Sequence, residues 1–157
     1  MDPRAVRIYE QAEEWNIPLI FHTATVQAPE LPLKYANPVL FDDVAYAFPR
    51  LKMVMAHMAH PYYTECIVMI RKHPNVYAEI SGNFFRHWPF YTTLLSAMDW
   101  GQTHKIFFGS DWPVATPQET IDGIRAVNRF PGFPRIPEEV LEGIIHSESL
   151  KALGIEV

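Results

Sequence analysis

The chain has 157 residues, 48% apolar, 20% charged and 13% aromatic, which suits one folded unit with a sizeable core and argues against disordered or fibrous architectures. Thirteen Lys and Arg against 18 Asp and Glu give a net charge of −5, and no basic run could track a phosphate backbone, so the expectation is no nucleic-acid partner. The longest uninterrupted apolar runs, Val44–Phe48 and Cys66–Ile70, are five residues each, far short of the roughly 18 to 20 that cross a bilayer.

No basic region followed by an apolar core opens the chain, and the lone Cys66 has no internal disulfide partner, so the default compartment is a reducing cytoplasm. The 14 prolines are scattered instead of gathered into a linker, and residues 1–157 read as one unit.

In chain order, Asp2 as cap and Pro3 in the first helical position predict a helix to about Trp15. The apolar run Pro18–Phe21 reads as a strand ending at His22, and Asn37-Pro38 opens a second helix to about Phe48. Leu51–Ala56 reads as a strand running into His57, with a third helix from Pro61 to Lys72. The third strand, Asn75–Ile80, ends at Ser81-Gly82, and a helix around Trp88–Asp99 leads to the fourth strand, Lys105–Phe108, followed by Gly109-Ser110-Asp111. Thr116-Pro117-Gln118-Glu119 is a capping box that starts the next helix. Ile136–Glu139 and Ser147 open short closing helices.

The polar residues His22, His57, Ser81 and Asp111 fall 35, 24 and 30 residues apart, the length of one βα unit. Such alternation predicts parallel strands with helical crossovers, either a small open sheet or about half of a (β/α)8 barrel, since a whole barrel needs about 200 residues or more. Ligand sites of both architectures lie at the carboxyl ends of the strands. There the chain places His22, His57 and Asp111, with Glu79 and Ser81 on the remaining strand. Imidazole and carboxylate are ligand types for a catalytic Zn²⁺ or similar divalent ion; equally, a single histidine after a strand can be a hydrogen-bonded structural residue.

Other chemistries lack their motifs: there is no nucleophile elbow, phosphate-binding loop or dinucleotide fingerprint. Cys66, flanked by Ile67–Ile70, reads as core. His60 is either a further site residue or an exposed loop residue, and His73, His104 and His146 read as surface or capping residues. Phe84–Trp88 and Trp112 either line a pocket for a planar or anionic substrate or cover the open end of the sheet.

The segments Pro18–Thr23, Leu51–Met58, Pro74–Gly82 and Lys105–Pro113 resemble strands five to eight of the amidohydrolase-related metal-dependent hydrolases, TIM barrels whose aminocarboxymuconate-semialdehyde decarboxylase branch performs non-oxidative decarboxylation. Phe108-Gly109-Ser110-Asp111-Trp112-Pro113 is the most specific part, and Pro137–Gly154 is similar to the family's terminal helices.

The resemblance implies that His22 is a metal ligand, that His57 polarises or deprotonates metal-bound water or ligates a second metal, and that Asp111 is a ligand that also handles a proton. It further implies a divalent cofactor, with zinc the first choice, and a small carboxylated or cyclic substrate. Two departures stand out. The family's strand-one His-x-His pair is absent, so a metal would be held weakly or not at all by this chain alone. After His57 the chain reads Met58-Ala59-His60 where the family often has glycine.

The leading expectation is therefore the C-terminal half of an amidohydrolase-type barrel, as a truncated product, an excerpt of a longer protein or one piece of a split enzyme; such a half is expected to self-associate, with a homodimer able to close eight strands, to pair with a separate N-terminal half, or to be only marginally stable. Two alternatives stay open: an inactive half-barrel with an association role, and a small doubly wound binding domain. Half a barrel is also expected to leave apolar strand residues, among them Leu19, Phe21, Met53, Met55 and Phe107, that helices on one side cannot all bury.

Overall fold

A computed structural model describes residues 2–26 and 28–156. The elements follow the alternating order: α1 (Pro3–Glu14), β1 (Leu19–Phe21), α2 (Asp42–Ala47), β2 (Met53–Met55), α3 (Tyr63–Lys72), β3 (Val76–Glu79), α4 (His87–Asp99), β4 (Ile106–Phe107), α5 (Pro117–Arg125), α6 (Glu138–Ile145) and α7 (Ser149–Leu153). The strands pair in parallel in the order β1-β2-β3-β4. Each crossover runs through the helix between its strands, as the parallel ladder requires.

Local chemistry explains the boundaries. The Asp2 carboxylate accepts the Arg4 N–H at 2.8 Å and starts α1, and the Thr116 capping box starts α5 with both of its reciprocal bonds in place. The expected second helix is shorter than its apolar pattern suggested. Asn37 caps Val39 and holds Pro38–Phe41 in a tight 3₁₀ turn, so that regular α-helix begins only at Asp42. The third helix likewise begins at Tyr63, two residues beyond Pro61.

Because side chains alternate along a strand, the sheet has two different faces. Leu19, Phe21, Met53, Met55, Val76, Ala78 and Ile106 point to the helices and join the main core. The helix side thus holds Leu19, Phe21, Met53 and Met55 of the expected set but not Phe107, with Met53 and Met55 fully inaccessible. Ile20, Val54, Tyr77 and Phe107 occupy the other face. Part of that face is covered by α7, whose Leu153 packs on Val54 and Phe107, while Tyr77 Oη donates to the Ala152 carbonyl at 3.4 Å. Beyond α7's reach Ile20 stays 71% exposed, and β1 and β4 form the two free edges of the sheet.

Polar ties lock the helix ends. Lys105 Nζ donates to the carbonyls of Ile70 and His73 at 2.6 Å, which caps the C-terminal end of α3. Buried Asn75 donates to the Phe48 and Leu51 carbonyls at 3.0 and 2.9 Å. His73 is the buried C-cap of α3, bonded through Nε2 to Asp42 at 2.7 Å, whereas His104 and His146 are exposed.

The bonds from His73 and then Lys72 hold the Asp42 carboxyl below its ordinary value of 3.8. A carboxyl depressed by folding stabilises the native state above its unfolded pKa, and that contribution is lost as the pH falls below about 4. Asp42→Asn is expected to flatten this part of the acid limb, by about 1 kcal/mol or less because the Asp42 side chain is 35% exposed. Urea midpoints between pH 6 and 3 check it; equal slopes for both proteins would contradict it.

Candidate functional site

Each expected site residue lies at the carboxyl end of a different strand. His22 follows β1 on the same face as Ile20, His57 lies two residues after β2, and Asp111 lies four residues after β4. All three line a cavity of about 630 Å³ on the inner face, together with Glu79, Ser81 and Phe107. They also line an adjoining hollow of about 260 Å³ that adds Thr25, His60 and Arg86. The His22 and His57 rings lie edge to face with centroids 5.2 Å apart. His22 and Asp111 are exposed and His57 is half-buried.

His57 sits on unusual backbone. His57, Met58 and Ala59 have φ of 58°, 50° and 55°, and Asp111 has φ of 63°, a left-handed region that costs non-glycine residues roughly 1 to 2 kcal/mol each. Met58 and Ala59 therefore take up the conformation that glycine favours. Side-chain bonds hold the turn: the His57 N–H donates to Glu79 Oε1 at 2.6 Å, Asn83 Nδ2 donates to the His57 carbonyl at 3.0 Å, and the His60 N–H closes onto the His57 carbonyl at 3.1 Å.

Two glycines serve the site in different ways. Gly82 has φ of +65°, and a Cβ there would meet His57 Nδ1 at 3.4 Å and Asp111 Oδ2 at 3.5 Å, which are ordinary contacts, so the constraint at Gly82 is its backbone. A Cβ on Gly109 would collide with Glu79 Oε2. Gly82→Ala is expected to cost about 1 to 2 kcal/mol in backbone strain, lowering the melting midpoint by about 2 to 8 °C in a chain of this size. Thermal unfolding followed by circular dichroism checks this, and an unchanged midpoint would contradict it.

Buried Asn83 extends the network. Its Nδ2 donates to the Ile80 and Ser81 carbonyls as well as to His57, which fixes Oδ1 as the acceptor of the Tyr63 hydroxyl at 2.9 Å. Tyr63 Oη in turn accepts from His60 Nδ1 at 2.8 Å. Burial pushes the Tyr63 phenol up to about 12; burial, then the nearby Arg86 and His57, lowers the His60 imidazole. His60 thus belongs to the site's surroundings and is no free loop residue. Tyr63 and Asn83 carried no strand-end signal in the sequence, although Asn83 lies one residue past the noticed Ser81-Gly82.

The other loop candidates divide. Arg86 reaches the smaller hollow and donates to the Gly82 carbonyl at 2.6 Å. Trp88 instead packs on Tyr91, Phe130 and Phe133, Phe84 packs over Gly123, and Trp112 stands 70% exposed. Cys66 is fully buried, with its thiol pushed far up by burial, and it is core as expected.

His22, His57 and Asp111 have the donor chemistry of a divalent-metal site. Among the described residues, however, no group of three His, Cys, Asp or Glu is disposed to hold an ion. A catalytic zinc normally has three protein ligands, more than the described donors bring together here.

Among the described residues no helix is long and apolar enough to cross a membrane. No curated protein matches the chain. Solved structures do, and the three that follow have an identity that speaks for the fold alone. An uncharacterised TIM-barrel protein from Bordetella bronchiseptica superposes with a TM-score of 0.73 at 24% identity over 98% of this chain and 51% of its own. The 5-carboxyvanillate decarboxylase from Sphingomonas paucimobilis gives 0.63 at 17% identity over 99% and 54%, and an amidohydrolase from Burkholderia multivorans with bound zinc gives 0.68 at 13% over 99% and 58%. The chain therefore spans about half the length of these neighbours, and its four parallel βα units correspond to part of a TIM barrel. A family model described as amidohydrolase matches residues 1–155, and with nearly its whole length so matched the chain belongs to the amidohydrolase family.

Proposed function

We propose that this chain carries the strand-five-to-eight half of a metal-dependent hydrolase or carboxy-lyase site for a small carboxylated or cyclic substrate. The observation that supports it is the convergence of His22, His57 and Asp111, from three separate strands, on one cavity at the carboxyl end of a parallel sheet. In this reading His22 and Asp111 are the metal ligands the chain contributes, His57 takes or returns a proton at the reacting centre, and Asp111 also handles a proton. The remaining ligands come from four further βα units, in the same polypeptide or in another. Zinc and manganese both suit imidazole and carboxylate donors, and the single, buried Cys66 is compatible with a reducing cytoplasm.

Arg86 beside the three residues favours an anionic substrate, and the decarboxylase among the neighbours points toward a carboxylated ring. A second reading, an inactive half-barrel whose role is association, is favoured by the exposed Ile20 on the inner face.

The test is turnover of a panel of aromatic carboxylates and cyclic amides by the chain alone and by the chain joined to a βα half bearing the His-x-His pair. The catalytic reading expects CO₂ release or ring opening from the joined form and none from the chain alone. Activity from neither, with the joined form folded and metal-loaded, would favour the association reading.

A further inference from the structure

We propose that Glu79 and Ser81 are positioning residues that hold His57 in its Nδ1–H tautomer, which leaves Nε2 bare on the opposite edge of the ring. The inference follows from which atoms must donate. Both oxygens of the Glu79 carboxylate accept backbone donors, Oε1 the His57 N–H at 2.6 Å and Oε2 the Ser81 N–H at 2.8 Å, as an ionised carboxylate does. The Ser81 hydroxyl lies 3.0 Å from Oε1 and donates to it. With its proton committed there, Ser81 Oγ presents only lone pairs to His57 Nδ1, 2.9 Å away. The other group facing Nδ1, the Ser81 carbonyl at 3.2 Å, can only accept. Both partners of Nδ1 are thus acceptors, and a neutral imidazole meets them by carrying its proton on Nδ1.

The neighbouring groups sustain this arrangement. Asn83 pins the Ser81 carbonyl at 3.0 Å, and the lack of a side chain at Gly109 keeps the space that Glu79 Oε2 occupies. The Glu79 side chain is 14% exposed and that of His57 17%, so water competes little for these bonds.

A bare Nε2 is what either suggested role of His57 requires, since both proton abstraction and metal ligation use an unprotonated nitrogen. This consequence rests on the proposed function; the tautomer itself does not.

The experiment is long-range ¹H–¹⁵N spectroscopy of the metal-free chain labelled with ¹⁵N-histidine, at a pH about two units above the ordinary histidine pKa of about 6.5, with the His57 signals assigned by their loss in His57→Gln. The expected result is a pyrrole-type Nδ1 and a pyridine-type Nε2. Ser81→Ala leaves only the longer carbonyl bond and is expected to raise the Nε2–H population, while Ser81→Thr restores the wild-type pattern. Glu79→Gln, whose amide can donate to Ser81 Oγ and free the hydroxyl to donate to Nδ1, is expected to shift the population the same way. A wild-type His57 protonated at Nε2, or the same tautomer in wild type and a folded Ser81→Ala, would overturn the proposal. Because neither metal nor turnover enters the readout, a failure here is separate from a failure of the proposed function.

Discussion

In a completed eight-stranded barrel, His22→Ala and Asp111→Ala are expected to lose the bound divalent ion, whereas His57→Ala keeps the ion and loses turnover. His22 and Asp111 are exposed at the mouth, where their donors are open to an ion. His57 is engaged through Nδ1 with Ser81 and through its N–H with Glu79, a fixture suited to holding a proton-transfer group at one place and angle. Loss of a positioned acid or base typically lowers kcat by about 10² to 10⁴, while loss of a ligand from a site with few protein donors removes the ion itself. Elemental analysis beside steady-state kinetics separates the two patterns. Equal metal content in wild type and Asp111→Ala would refute the ligand assignment.

The 157-residue chain studied alone is expected to self-associate at micromolar concentration. Its sheet has unpaired β1 and β4 edges, and free parallel edges are templates for another strand. The inner face adds exposed Ile20, with Leu150 and Ile155 beside it. A two-fold pairing that set β4 of one copy beside β1 of the other would give eight strands, cover Ile20 and bring two sets of His22, His57 and Asp111 to one mouth. Ile20→Lys puts a charge on that face without touching the helix-side core, and it is expected to weaken association at least about tenfold, equivalent to about 1.4 kcal/mol. Sedimentation velocity reads both results. A well-folded monomer at micromolar concentration would show that α7 already covers enough of the inner face.

The βα order and the strand-end residues were legible in the sequence because they depend on local signals. Short apolar runs end in His22, His57 and Asp111, and Asp2-Pro3 and Thr116–Glu119 announce helix starts whose bonds form as expected. Strand lengths were less legible: Leu51 and Lys52 precede a ladder that pairs only Met53–Met55 with both neighbours. Which residue faces which way was less legible still. Apolar residues on both faces of a parallel strand give no alternation to read, so nothing marked Ile20 as the exposed member or Leu153 as the residue that would cover Val54 and Phe107.

The site was legible as a set of types and illegible as a network. The left-handed turn at His57–Ala59 has no glycine to signal it, and it exists because Glu79 and Asn83, 22 and 26 residues away, hold its ends. Tyr63 likewise gains its role only through a bond to Asn83 across 20 residues. Such roles belong to tertiary hydrogen bonding, which composition and periodicity do not encode.

In the proposed function this chain presents part of a metal centre and further strands complete it. Titration with zinc or manganese followed by elemental analysis, on the chain alone and on the chain joined to a His-x-His-bearing half, tests it most directly. The expected result is about one firmly held ion per barrel completed by the His-x-His-bearing half and no retained ion on the 157-residue chain after desalting, whatever its association state; one ion held through desalting by each chain alone, and lost in His22→Ala, is the opposite result and refutes the shared metal centre.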